Sequence, residues 1–197
     1  MLACSLPSIP AMGVDIDEDW AARRLMQAYA GLLAEAWVAM EPNLADLTDQ
    51  EYFWEPTPGC WGVRRRGDVR SDGCWGRGDW VVEVGSQRPP MTTIGWRLMH
   101  AYDCVNDYGH RAFGRPQVDV DAVDVCGAAA GAVAVFTQAV QRLREDLGAA
   151  SDVGLAEPDV VLDVPRWRLV NRALNEGIAH VAEIGALRQI YRATSHG

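Results

Sequence analysis

Glu176 and His180 stand four residues apart in a stretch that reads as helix. That spacing puts both side chains on one face, about 5–6 Å apart at Cβ, close enough to grip one ion. His100 lies in the middle of another apolar helical stretch and can complete the set from a neighbouring helix. Two histidines and a carboxylate with open coordination positions suit Zn²⁺, Ni²⁺ or Fe²⁺, in a Lewis-acid or substrate-binding role. On spacing alone, two plainer readings stay open: a solvated Glu–His ion pair, and a histidine hydrogen-bonded in a core. The other histidines carry less. His110 sits near a helix end among charged residues and reads as surface, and His196 lies at the frayed C-terminus.

Several chemistries are excluded. All 18 cationic side chains are Arg, against 27 Asp and Glu, for a net charge of −9. With no lysine, neither a Schiff base nor a phosphate-binding loop lysine is available. The negative balance argues against a nucleic-acid partner, since phosphate neutralisation needs net positive charge. Hydrophobic residues make up 49% of the chain and charged residues 23%, which are globular values. The first residues, MLACSLPSIPAMG, lack the basic segment of a secretory signal. The longest apolar run, Gly127 to Phe136, is short of the roughly 18–20 residues that span a bilayer. The five cysteines are scattered with no C-x-x-C pair. The expectation is a cytoplasmic protein with reduced thiols and no membrane partner.

Four helices must position these groups. The first is expected from about Asp17 to Met40, with Leu25, Tyr29, Leu32, Ala36 and Met40 as its apolar stripe and Pro42 as its stop. The second is expected from a Thr92 or Thr93 cap to about Phe113, stopped by Gly114 and Pro116. The third spans about Asp121 to Leu147. Its small face, Gly127, Ala130, Gly131 and Ala134, is assigned to the bundle interior, with a second chain as the alternative. The fourth runs from Pro165, with Asp163 as cap, to about Tyr191. Its buried stripe is Leu169, Leu174, Ile178, Val181, Ile184 and Leu187. Asn43 to Arg88 is a long connection holding a short internal echo (GCWG at 59–62 and 73–76) and one expected strand, Asp79 to Val84. The reading is all-α, an antiparallel four-helix bundle with a long loop between helices one and two. It treats residues 1–197 as a single domain whose first 15 residues pack loosely.

Three segments together resemble the DinB-like superfamily, which includes the mycothiol-dependent maleylpyruvate isomerases. They are Leu47–Trp61, the TTIGWRLMH run ending at His100, and the NEGIAHVAEIGALRQIY run of the last helix. The resemblance implies up-down-down-up topology and a divalent metal, Zn²⁺ before Ni²⁺ or Fe²⁺, held by His100, Glu176 and His180. The Glu-x-x-x-His form resembles the isomerase branch. It further implies a low-molecular-weight thiol such as mycothiol as cosubstrate. The reaction would be an S-transfer or isomerisation on a small electrophilic molecule, the metal easing ionisation of the thiol. A metal-dependent hydrolase or lyase on the same site, a non-catalytic metal-binding protein, and a bare bundle serving a protein partner are the alternatives. The Arg-rich composition points to GC-rich coding, which agrees with mycothiol, the thiol of high-GC bacteria.

Glu183, one turn after His180, is a candidate to orient it, or a surface carboxylate near Arg188. Asp103 and Asp107 are weighed between the metal's surroundings and the surface, the surface favoured. Trp61, Trp96 and Tyr29 are candidate pocket walls, and also ordinary core aromatics. Arg64, Arg65 and Arg66 read as a solvated run balanced by Asp68 and Asp72, with an anionic substrate as the sharper alternative. Cys60 reads as a buried structural thiol. A monomer and a homodimer are both open.

Overall fold

The computed structural model describes residues 18–87, 91–150 and 154–195, with α1 side chains from Met26 on. The expectations for residues 1–15, Asp17, Cys4, the Leu25 side chain and His196 lie outside them. Four long helices are present: α1 (Glu18–Leu44), α3 (Ile94–Ala112), α4 (Ala129–Ala149) and α5 (Trp167–Ser195). A short α2 (Asp49–Phe53) precedes three strands, β1 (Val63–Arg65), β2 (Gly73–Trp75) and β3 (Trp80–Val84).

Each long helix packs on two others, in the ring α1–α5–α3–α4, and the α3/α5 seam is the most extensive. Phe136, Ile94, Leu98, Met99, Leu169, Val181 and Ile184 fill the centre with almost no exposure. This burial is the main source of stability. Glycine permits two of the close approaches. A Cβ on Gly177 of α5 would stand 3.2 Å from Val105 of α3, and one on Gly185 would stand 2.6 Å from Asn43 of α1.

The region between the first two long helices is not a bare loop, so the structure is not a pure four-helix bundle. Thr48 opens α2 with a capping box: its hydroxyl accepts from Glu51 N while Glu51 accepts from Thr48 N. Strand β3 is central in the antiparallel order β1–β3–β2, with Val63 opposite Val82 and Trp75 also opposite Val82. The sheet is tied to the start of α3. Trp61 N donates to Met91 O, Thr93 N donates to Trp61 O, and Trp96 Nε1 donates to Glu83 O at 2.7 Å. Glu83 is fully buried and accepts from Gly62 N, Arg64 Nε and Arg70 N.

Other expectations are corrected in detail. Pro42 lies inside α1, which continues to Leu44. In α1, Met40 is buried and Tyr29 and Ala36 pack against the core as expected, but Leu33, 3% exposed, takes the inward place expected of Leu32, which is 46% exposed. Helix α4 starts at Ala129, because Cys126 and Gly127 belong to the approach. Tyr52 Oη donates to Cys126 O, and Gly127 leaves no room for a Cβ beside the Trp80 ring. The α4 face turned inward is Ala129, Ala132, Phe136 and Ala139, whereas Ala130 and Ala134 are exposed. Helix α5 starts at Trp167, two residues past Pro165, and Asp163 adopts a φ of 50°. Thr93 is the cap of α3, accepting from Trp96 N, and Gly114 follows its end with a φ of 74°. The strand expected at Asp79–Val84 is β3.

Candidate metal centre

His100 projects from the middle of α3 toward α5, where its ring meets that of His180, with centroids 5.0 Å apart and planes at 74°. One face of His100 is stacked on Trp96 at 4.8 Å, and the same indole meets His180 edge-on at 6.2 Å. Trp96 is itself pinned by its bond to the Glu83 carbonyl. The sheet thus fixes the indole, and the indole helps fix the ring plane of His100. Trp61 continues this aromatic wall, 6.5 Å from Trp96. Tyr29 packs, half-buried, against the hydrophobic core.

Along α5, His180 Nε2 lies 3.3 Å from Glu176 Oε2. Its Nδ1 donates to Glu183 Oε2 at 2.8 Å. A histidine held at Nδ1 by a carboxylate presents Nε2, the arrangement that commonly orients metal-binding imidazoles. Glu183 also pairs with Arg97 of α3, whose Nη1 is 3.5 Å from His180 Nδ1. Both roles weighed for Glu183 have support: it contacts His180 and it is a surface carboxylate, 46% exposed, though the cation beside it is Arg97 and not Arg188. Glu176 pairs in turn with Arg172 at 2.9 Å.

Burial, and then the neighbouring His180, push His100 down to about 4, so its imidazole is neutral near neutral pH. Hydrogen bonding to His180 outweighs burial at Glu176 and, with Arg172, keeps its carboxyl below the usual range. The centre therefore presents a neutral imidazole and an ionised carboxylate, the forms that bind cations.

The sequence reading missed Cys104. Its sulphur lies 3.7 Å from His100 Nε2. Ligand atoms of His100, Cys104 and Glu176 all lie within 4.8 Å of one another, the one such group among the described residues, and His180, expected as the third ligand, is not a member of it. Burial first, then the Glu176 charge, pushes the Cys104 thiol up. The signal was available, because His100 and Cys104 have the same four-residue spacing as Glu176 and His180.

Other expected site residues have structural partners. Asp107 accepts from Val118 N and pairs with Arg111. Asp103 is half-buried, with a buried Oδ1 that has no hydrogen-bond partner, and burial and Asp107 push it up to about 7. It is not a surface carboxylate, nor does it belong to the His100 cluster. His110 is half-buried near the end of α3, and burial lowers its pKa. Arg64 pairs with Glu55 and Glu83, Arg65 lies over the Trp80 ring, and Arg66 donates to the carbonyls of Gly76 and Gly78. Arg65 and Arg66 are thus exposed, as expected of a solvated run, whereas Arg64 is balanced by Glu55 and Glu83 in place of Asp68 and Asp72. Asp72 instead accepts from Ser86. Cys60 is a buried thiol, 2% exposed, as expected. Cys60, Cys74, Cys104 and Cys126 are all free. No helix among the described residues is long and apolar enough to cross a membrane.

Residues 32–184, well over half of the chain, match the family model described as the DinB superfamily. No curated protein and no solved structure gives a significant match.

Proposed function

From a chain that belongs to the DinB superfamily, we propose a metal-dependent enzyme that uses a low-molecular-weight thiol, mycothiol being the first candidate, on a small electrophilic substrate. The reaction class is S-transfer or isomerisation. The observation that supports it most is the meeting of two imidazoles and an ionised carboxylate across the α3/α5 seam. His100, Glu176 and His180 would hold the ion, and the donor set fits Zn²⁺ best of the ions considered. A divalent cation here supplies Lewis acidity and stabilises a thiolate over its thiol.

The chain's own residues have separable roles. Glu183 holds His180 by its Nδ1–H and so aims Nε2. Arg97 offsets the Glu183 charge and draws α3 and α5 together at the site. Trp96 shields one face of His100 from water and fixes its plane. Arg172 holds the Glu176 carboxylate from one helical turn before it.

The test has two stages. Purified protein is expected to carry close to one divalent ion per chain, and His100→Ala and His180→Ala to lose it. Full stoichiometric metal in both variants would refute the site. Turnover of electrophilic substrates is then followed with and without mycothiol or another small thiol. Turnover that is independent of any thiol would replace this reading with hydrolase or lyase chemistry at the same residues.

A further inference from the structure

We propose that Cys104 is a further ligand of this metal centre, binding as a thiolate beside His100, Glu176 and His180. The proposal rests on the metal reading above and extends it to a residue that neither the sequence pattern nor the resemblance assigns. Cys104 does not stand alone: its sulphur belongs with ligand atoms of His100 and Glu176 to one group spanning no more than 4.8 Å. Within each helix the separations also have the right size. Tetrahedral zinc with Zn–N of about 2.0 Å and Zn–S of about 2.3 Å puts nitrogen and sulphur about 3.5 Å apart. His100 Nε2 and Cys104 Sγ are 3.7 Å apart. The same geometry separates an imidazole nitrogen and a carboxylate oxygen by about 3.4 Å. His180 Nε2 and Glu176 Oε2 are 3.3 Å apart.

The two pairs have one origin. Each is an i, i+4 pair on a long helix, and the two helices face each other across the bundle's most extensive seam. Charge agrees. One thiolate and one carboxylate neutralise a divalent ion, whereas His100, Glu176 and His180 alone leave a net positive charge in a largely buried place, which is costly. On binding, Cys104 loses its proton to solvent as the sulphur–metal bond forms, the normal course for a coordinating thiol. The ion class follows from the donor. A thiolate favours zinc and softer ions such as cadmium over hard cations such as Mg²⁺ or Mn²⁺.

The test is spectroscopic and needs no turnover. Metal-free full-length protein is titrated with Co²⁺ under anaerobic, reducing conditions. The expected result is one equivalent bound, with a thiolate-to-cobalt charge-transfer band in the near ultraviolet. Cys104→Ser is expected to keep the visible cobalt bands, to lose the charge-transfer band, and to bind more weakly. Loss of a ligand should match or exceed the about 10–100-fold seen for outer contacts. Cys60→Ser, a control outside the cluster, should keep the band. Cobalt bound by the wild type without that band, or a band that survives Cys104→Ser, overturns the proposal while leaving the metal reading intact. No stoichiometric cobalt binding at all overturns both. Should Cys104→Ser fail to fold, zinc-edge X-ray absorption of the wild-type zinc-loaded protein decides. A sulphur neighbour at about 2.3 Å supports Cys104, and a shell of nitrogen and oxygen alone refutes it.

Discussion

Arg188 invites a direct perturbation, because every donor it owns has an acceptor. A guanidinium has five N–H groups. Nε donates to Glu51 Oε1 at 2.8 Å, and Nη2 to Glu51 Oε2 at 3.2 Å and to Asp46 O at 3.3 Å. Nη1 donates to Asn43 O at 3.0 Å and to Ala45 O at 2.7 Å. Both charged side chains are 5% exposed. One side chain of α5 thus closes the C-terminal end of α1 and anchors α2, two turns beyond His180. Arg188→Met keeps the volume and removes all five bonds, leaving the Glu51 carboxylate with Thr48 and the distant, exposed Arg192. Breaking a buried pair from one side costs about 3–5 kcal/mol. With a urea slope of about 2–3 kcal/mol/M, the midpoint should fall by about 1–2.5 M at unchanged slope. Arg188→Lys retains the charge but not the fork, and should fall between wild type and Arg188→Met. The decisive variant is Glu51→Leu combined with Arg188→Met. If the penalty comes from an uncompensated buried charge, the double variant is more stable than Arg188→Met by about 1 kcal/mol or more. Equal or greater loss in the double variant would refute that reasoning and place the cost in the lost carbonyl bonds.

The remaining predictions concern acid, metal and packing. Burial raises the Glu51 and Asp159 carboxyls, but hydrogen bonds from Arg188 and Thr48, and from Arg111 and the 161–162 backbone, leave both below their ordinary values. Their stabilisation is therefore fully present above the unfolded-chain values of about 4, and is lost as pH falls through the lower folded values. Urea midpoints measured from pH 6 downward should show this, with a shallower fall in Glu51→Gln. Zinc at a free concentration 100 times its Kd should add about 2.7 kcal/mol, raising Tm by about 5–11 °C, and His180→Ala should abolish the rise in a thermal melt. A Cβ on Gly95 would stand 3.0 Å from the Tyr52 ring and from its carbonyl oxygen. Gly95→Ala should thus cost about 1–3 kcal/mol by denaturation despite alanine's higher helix propensity. Thr48→Ala removes the hydroxyl half of the α2 capping box and should cost about 1 kcal/mol.

The long helices were legible because their signals are local and repeated. Thr93, Gly114 and the stripe of α5 behave as the spacing predicts. The region between α1 and α3 was less legible for the opposite reason. Strands β1 and β2 are three residues each, too short for alternation to register, and both find their partner in β3. Yet Thr48 and Glu51 carry the Thr-x-x-Glu pattern of a capping box, so α2 had a readable start. Leu32 and Leu33 show the limit of periodicity: adjacent leucines satisfy nearly the same stripe, and only packing against α4 and α5 selects Leu33.

The site follows the same division. Glu176 and His180 are found by i, i+4 spacing because both groups sit on one helix. His100 joins them only through the seam between α3 and α5, which no local pattern specifies. Once His100 is admitted, however, the rule that selected Glu176 with His180 also selects Cys104 with His100. On sequence alone, a cysteine one turn from an imidazole is explained equally well by burial in a helical core. What separates the two readings is the second helix. Packing requires only that Cys104 be buried, whereas ligation requires a carboxylate from α5 within reach of the same point, and Glu176 supplies it. The sheet adds the final constraint. Trp96, held by the Glu83 carbonyl, stacks on one face of His100, and so limits the directions from which an ion or a substrate can approach that ring.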